Sequence, residues 1–132
     1  MQIRLTNEID LDGQMEVVDQ VYPVEVLRKK NQLYLMYTNE EQEKVVIKCD
    51  DKELSMTRFS SPKTLMRFLS NQEAIVVVPT PIGLQHFVTV TNEYQLDEEA
   101  QSIRLHYDLK QLEAERIFAS YRMEISWGNP LL

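Results

Sequence analysis

The sequence holds a single cysteine, Cys49, and two histidines, His86 and His106, among 132 residues. One cysteine excludes an intrachain disulfide and any cysteine-based zinc site. Cys49 is expected to be a buried, reduced thiol in a cytoplasmic protein. No glycine-rich phosphate loop is present, and two isolated histidines with scattered carboxylates do not make a metal site. Met1-Gln2-Ile3-Arg4-Leu5-Thr6 lacks the apolar stretch of a secretory signal. The longest uncharged run, residues 74–92, is interrupted by Pro79, Pro81 and Gly83 and is unsuited to spanning a bilayer. Basic charge is also short: 14 lysines and arginines stand against 21 acids, for a formal charge of -7. That balance works against sequence-independent binding of nucleic acid or anionic membranes.

What remains is an ordinary globular composition, 43% hydrophobic and 27% charged, long enough for one domain over residues 1–132 with its own core. Helical periodicity is nearly absent, and alternation runs almost throughout. Ile117, Ala119, Tyr121, Met123, Ile125 and Trp127 fall on one face of the last strand, against Ser120, Arg122, Glu124 and Ser126. The preceding strand sets Ile103, Leu105, Tyr107 and Leu109 against Ser102, Arg104, His106 and Asp108. A period of two over this length means one face in the core and one in water.

Shorter alternating segments repeat upstream: residues 3–9, 15–27, 33–38, 44–49, 53–59, 64–69, 74–78 and 84–96. Asp12-Gly13 is a hairpin turn signal, and Pro23 is the natural bend in the long second segment. The chain is therefore expected to be all-β, with about nine or ten antiparallel strands in sequential hairpins. Such a meander tends to close into a barrel, because closure removes exposed edges. A two-sheet sandwich is the competing architecture.

The segments Leu54-Ser55-Met56-Thr57-Arg58-Phe59, Leu65-Met66-Arg67-Phe68 and Thr80-Pro81-Ile82-Gly83 resemble the YwiB-like family of uncharacterised Firmicute proteins. Ile103-Arg104-Leu105-His106-Tyr107-Asp108-Leu109 and Met123-Glu124-Ile125 extend the likeness over nearly the whole chain. The resemblance implies a calycin-like, lipocalin-type closed barrel of about eight strands. It implies no activity and no catalytic residues. Leu69-Ser70-Asn71-Gln72 stands where the family pattern has a glycine.

The most informative feature for function is a charge anomaly. Residues 54–72 carry Arg58, Lys63 and Arg67 and no acid. Arg58 shares parity with Leu54 and Met56, which places it on the apolar face. There its planar fork suits a carboxylate or phosphate, unless the head simply reaches solvent at the barrel mouth. The facing of Arg67 is open. Tyr107 and Tyr121 point to the core face, where they line a polar cavity or hydrogen-bond to backbone.

His106, Asp108 and Ser120 look like a triad on paper, with Ser120 placed across the hairpin from His106. A flat strand face supplies neither a strained nucleophile turn nor an oxyanion hole, so no catalytic residue is assigned. Acidic clusters at the turns lack the ligand spacing of a calcium loop. The expectation is a non-enzymatic barrel without cofactor or metal, binding a small amphipathic or anionic ligand in its mouth through Arg58, Arg67, Tyr107 and Tyr121. The alternative is an interaction module, homodimeric or partner-binding, that uses the uncharged segment 74–92. An unrecognised enzyme ranks lowest.

Overall fold

The computed structural model describes residues 1–113 and 116–129. Within them lie β1 (Gln2–Leu11), β2 (Gln14–Pro23), β3 (Glu25–Lys29), β4 (Gln32–Thr38), β5 (Lys44–Cys49) and β6 (Glu53–Arg58). They are followed by β7 (Thr64–Leu69), β8 (Glu73–Thr80), β9 (Gly83–Asp97), β10 (Ser102–Gln111) and β11 (Ile117–Gly128). No helix long and apolar enough to cross a membrane occurs among the described residues.

Each expected segment is in strand, but 15–27 divides into β2 and β3, so the described residues hold eleven strands where nine or ten were expected; the turns between them are set by residue chemistry. Asp12 (φ 54°) and Gly13 (φ 88°) both adopt positive φ, the backbone of a two-residue hairpin turn whose twist matches its strands. The Asp10 carboxylate caps that turn by accepting from the Gly13 N–H at 2.9 Å. Asn71, with φ 57°, takes the left-handed conformation in the β7–β8 turn. Asparagine tolerates that region better than most residues. Asp50 Oδ1 gathers the β5–β6 turn by accepting from the backbone of Lys52 and Glu53 at 2.9 and 3.0 Å.

The strands form two antiparallel sheets, not one continuous cylinder. The first runs β2-β1-β11-β10-β9-β8 and the second β3-β4-β5-β6-β7. Neither closes on itself among the described residues, so the expected closed barrel is replaced by two facing sheets. Two local events account for the division. At Pro23–Val24 the long second segment bends and changes partner, from β1 on one side to β4 on the other. Proline has no N–H to carry a ladder onward.

At the other seam β7 and β8 carry no mutual ladder. β9 bridges the gap instead: its Thr89 hydroxyl donates to the Arg67 carbonyl of β7 at 2.7 Å, and its Thr91 N–H donates to the Gln72 carbonyl in the β7–β8 turn at 3.2 Å. The sheets share one core. Ile3, Leu5, Ile103, Leu105, Met123, Ile125 and Trp127 of the first pack against Leu33, Leu35, Ile47, Cys49, Leu54 and Phe68 of the second. Phe68 stands 4.4 Å from the Tyr107 ring and ties the sheets together. A buried aromatic of this kind contributes about 1.5–3 kcal/mol by burial alone.

Candidate functional site

Strand registers define the inner rows of the second sheet. Tyr37 faces Val45, Val45 faces Arg58, and Arg58 faces Thr64. This row lies one step beyond the Leu35–Ile47–Met56–Met66 row on the same face. Arg58 therefore does share the apolar face, as its parity requires, but it ends its strand. Its side chain is 50% exposed, and its Nε lies 3.7 Å from the Glu43 carboxylate. Arg67 takes the opposite face, because Met66 and Phe68 claim the inner positions of β7. Its Nη2 lies 3.5 Å from Glu53. The structure thus does not bring Arg58 and Arg67 together. The acids that neutralise them lie outside the acid-free segment.

Tyr107 and Tyr121 face one another across the β10–β11 ladder and stack at 4.6 Å with an interplanar angle of 9°. Tyr107 is buried and Tyr121 half-buried. Burial pushes both hydroxyls above their ordinary range, with Tyr121 adding to the shift of Tyr107. They remain neutral hydrogen-bonding groups at physiological pH.

A second tyrosine pair closes the β2–β4 corner. Tyr22 and Tyr37 stack at 5.0 Å and 12°. The Tyr22 hydroxyl donates to the Glu40 carboxylate, which also accepts from Gln20 Nε2 at 3.2 Å. That bond from Tyr22 holds Glu40 below the usual carboxylate range. Burial, with Glu40 nearby, pushes Tyr37 up to about 12, against a smaller opposing effect of Arg58. Arg58 is thereby placed in electrostatic range of the tyrosine corner.

The half-buried Tyr22, Tyr37, Met56, Met66 and Tyr121 border the sealed core, and Arg58 shares their inner face. Tyr37, Met56, Met66 and Arg58 lie in adjacent rows of the second sheet's inner face. An open cleft of about 460 Å³ lies at the corner, lined by Pro23, Val24, Glu25, Met36, Tyr37, Thr38 and Lys44. By strand alternation Met36, Thr38 and Lys44 point to the outer side, so this is a surface cleft whose inward-facing members include Tyr37.

Tyr22, Tyr37, Met56 and Met66 carried no expectation, although each has the inward parity of its strand. Their role depends on the corner at Pro23–Val24, which brings β2 beside β4. The outer face arranges the remaining candidates differently from expectation. Ser120 lies opposite Asp108 rather than His106, and its hydroxyl donates to Asp108 Oδ1 at 2.7 Å. His106 lies opposite Arg122, with its Nδ1 3.1 Å from Glu93.

No group of three or more metal-ligating side chains gathers among the described residues. Cys49 is buried, and burial pushes its thiol up to about 11, the opposite of an activated nucleophile.

Comparison with known proteins yields a fold and a family but no activity. No curated protein matches the sequence. The crystal structure of the ywiB protein from Bacillus subtilis superimposes with a TM-score of 0.75 at 23% identity, over 96% of this chain and 90% of that one. The family model described as "Domain of unknown function (DUF1934)" matches residues 3–125. With nearly the whole chain inside that match, the protein belongs to the DUF1934 family, the YwiB-like group that its strand motifs resemble.

Proposed function

We propose that this protein is a non-enzymatic binding protein that holds a small amphipathic ligand in a mouth between its sheets. The observation that carries the reading is a set of inward-facing side chains that stay partly accessible. These are Tyr37, Met56, Met66 and Tyr121, and Arg58 ends the same face half-exposed. Apolar and aromatic walls with few polar groups are the usual chemistry of a small-molecule site. Arg58 supplies a planar donor for the acidic end of the ligand, in competition with Glu43. Arg67, on the outer face, takes no part. The reading treats the paired sheets as an opened calycin-like barrel; the shared core and the strand bent across both sheets support that view. A single buried thiol fits action in the cytoplasm.

The test is calorimetric titration of wild type and Arg58→Ala with octanoate, paired with thermal melts. Wild type is expected to bind and to melt higher with ligand, and the variant to bind at least about fivefold more weakly, the loss of one charge-assisted hydrogen bond. Absence of an octanoate-dependent response in both proteins would overturn the reading.

A second reading rests on a separate observation. Ile75, Val77, Ile82 and Leu84 are exposed on β8 and its hairpin with β9, and Ile82 is 86% exposed. β8 is the last strand of its sheet, so an apolar surface and a sheet edge coincide within residues 74–92. A homodimer through this edge is the form of that reading. Sedimentation velocity showing only monomer at high concentration would remove it.

A further inference from the structure

We infer that two copies of this chain associate through β2, by antiparallel pairing of that strand with itself about a two-fold axis at Val18. Neither reading above is needed for it: the edge is a different one, and no ligand takes part.

Four strands end the two sheets, β2 and β8 in the first and β3 and β7 in the second. An open edge presents unpaired N–H and C=O groups to any other strand, and natural edges are blunted by shortness, basic residues, proline or bulges. β3 has five residues and carries Arg28 and Lys29. β7 has six and carries Arg67. β8 carries Pro79 and has β7 alongside it. β2 lacks these devices. It runs for ten residues and, among the described residues, pairs with β1 alone, in one unbroken register from Gln14 opposite Leu11 to Pro23 opposite Gln2. From Gln14 to Tyr22 it contains no lysine, arginine or proline.

The side chains of β2 fit a second copy of themselves. Met15, Val17 and Val21 stand on the outer face, 62, 67 and 49% exposed, and Asp19 shares that face. Arg4 already holds Asp19, with Nε and Nη2 donating to its two oxygens at 3.0 and 2.7 Å, so Asp19 brings little free charge to an interface. In an antiparallel pair centred on Val18, Met15 faces Val21 of the second copy and Val17 faces Asp19. Glu16 then faces Gln20, whose amide has a hydrogen to donate to it besides the one given to Glu40. No acid meets an acid. Centring the pair on Asp19 sets two carboxylates opposite each other, which is destabilising. Centring it on Val17 turns Met15 onto Asp19 and Val21 onto Gly13. Val18 is the centre that brings the apolar side chains together.

Such a contact is isologous and closed, so assembly stops at the dimer. One strand pair buries less than the about 1,200–2,000 Å² of a stable interface, so the dimer is weak and depends on concentration.

Sedimentation velocity of the full chain, up to about 1 mM, tests this with Val17→Asp, Val17→Lys and Val77→Asp. Wild type is expected to pass from monomer to dimer. Val17→Asp sets a carboxylate against Asp19 at both ends of the pair and should weaken the dimer about tenfold or more. Val17→Lys faces Asp19 with a cation and should keep the dimer, as should Val77→Asp on β8. Val17 and Val77 are both exposed, so these changes spare the monomer fold, which thermal melts verify. Mild oxidation of Val18→Cys should give a disulfide-linked dimer. Met15→Cys, about 20 Å from its own copy in this register, should not, and the native Cys49 is buried. Wild type that stays monomeric, or that grows beyond the dimer, would overturn the assignment. So would equal losses for Val17→Asp and Val17→Lys, or a dimer lost on Val77→Asp and kept on Val17→Asp.

Discussion

Thr89 and Thr91 sit two positions apart on the inner face of β9, fully buried or nearly so, and differ in one respect. The Thr89 hydroxyl donates to the Arg67 carbonyl at 2.7 Å and approaches the Ala74 carbonyl at 3.4 Å. The Thr91 hydroxyl has no partner among the described residues. Valine matches threonine in shape and in preference for strands, so Thr→Val at each site isolates the hydroxyl. Thr89→Val removes a part-buried bond that spans the seam between β7 and β9, at a cost of about 1–2 kcal/mol. Thr91→Val removes only an unpaired polar atom, and its effect should lie between zero and about 1 kcal/mol of added stability. At roughly 3–5 °C per kcal/mol for a domain of this size, the two melting temperatures should move in opposite directions or at least separate clearly. Urea and thermal unfolding followed by the fluorescence of Trp127, itself buried, provides the measurement. A Thr91→Val variant losing as much stability as Thr89→Val would refute the account of the seam.

Phe68→Ala deletes the ring that joins the sheets through Tyr107 and should cost about 3–5 kcal/mol, measured as a lower urea midpoint. Arg58→Ala should change stability by less than about 1 kcal/mol, since its pair with Glu43 is half-exposed; a larger loss in the melt without ligand would mark Arg58 as structural. Gly13→Ala forces a side chain onto a residue at φ 88° and should lower stability by about 1–2 kcal/mol, although a Cβ there would meet nothing within 4 Å. Burial raises the Cys49 thiol from 9.0 to about 11, so its neutral form is favoured more in the folded state. The stabilisation is complete below pH 9 and is lost as pH rises towards 11, because the unfolded chain releases its proton first. Cys49→Ala should flatten the decline of the urea midpoint over that window.

Strand positions were legible because a period of two is a local property, and even the bend at Pro23 could be read from one residue. The division into two sheets was not. Partner exchange at Val24 depends on which distant strand offers its edge, and nothing in residues 15–27 records that β1 lies on one side and β4 on the other. The inward facing of Arg58 followed from its alternation with Leu54 and Met56, whereas its exposure followed from its place at the strand's end. Arg67 became assignable only when Phe68 was seen to fill the core. Tyr22 and Tyr37 had no signal beyond parity, since their stacking is a product of the corner.

The pairing of β1 with β11, Gln2 opposite Gly128, has a temporal consequence. A ribosome delivers the first strand long before its neighbour, so the β1–β2 hairpin must wait with one edge unsatisfied until the last strand emerges. Contacts so distant in sequence make closure of the six-stranded sheet slow, and they make it the step at which nascent chains are exposed to mutual strand exchange. Met15, Val17 and Val21, exposed along β2 even in the finished fold, would lengthen that hazard, and the acidic charge of the chain opposes it.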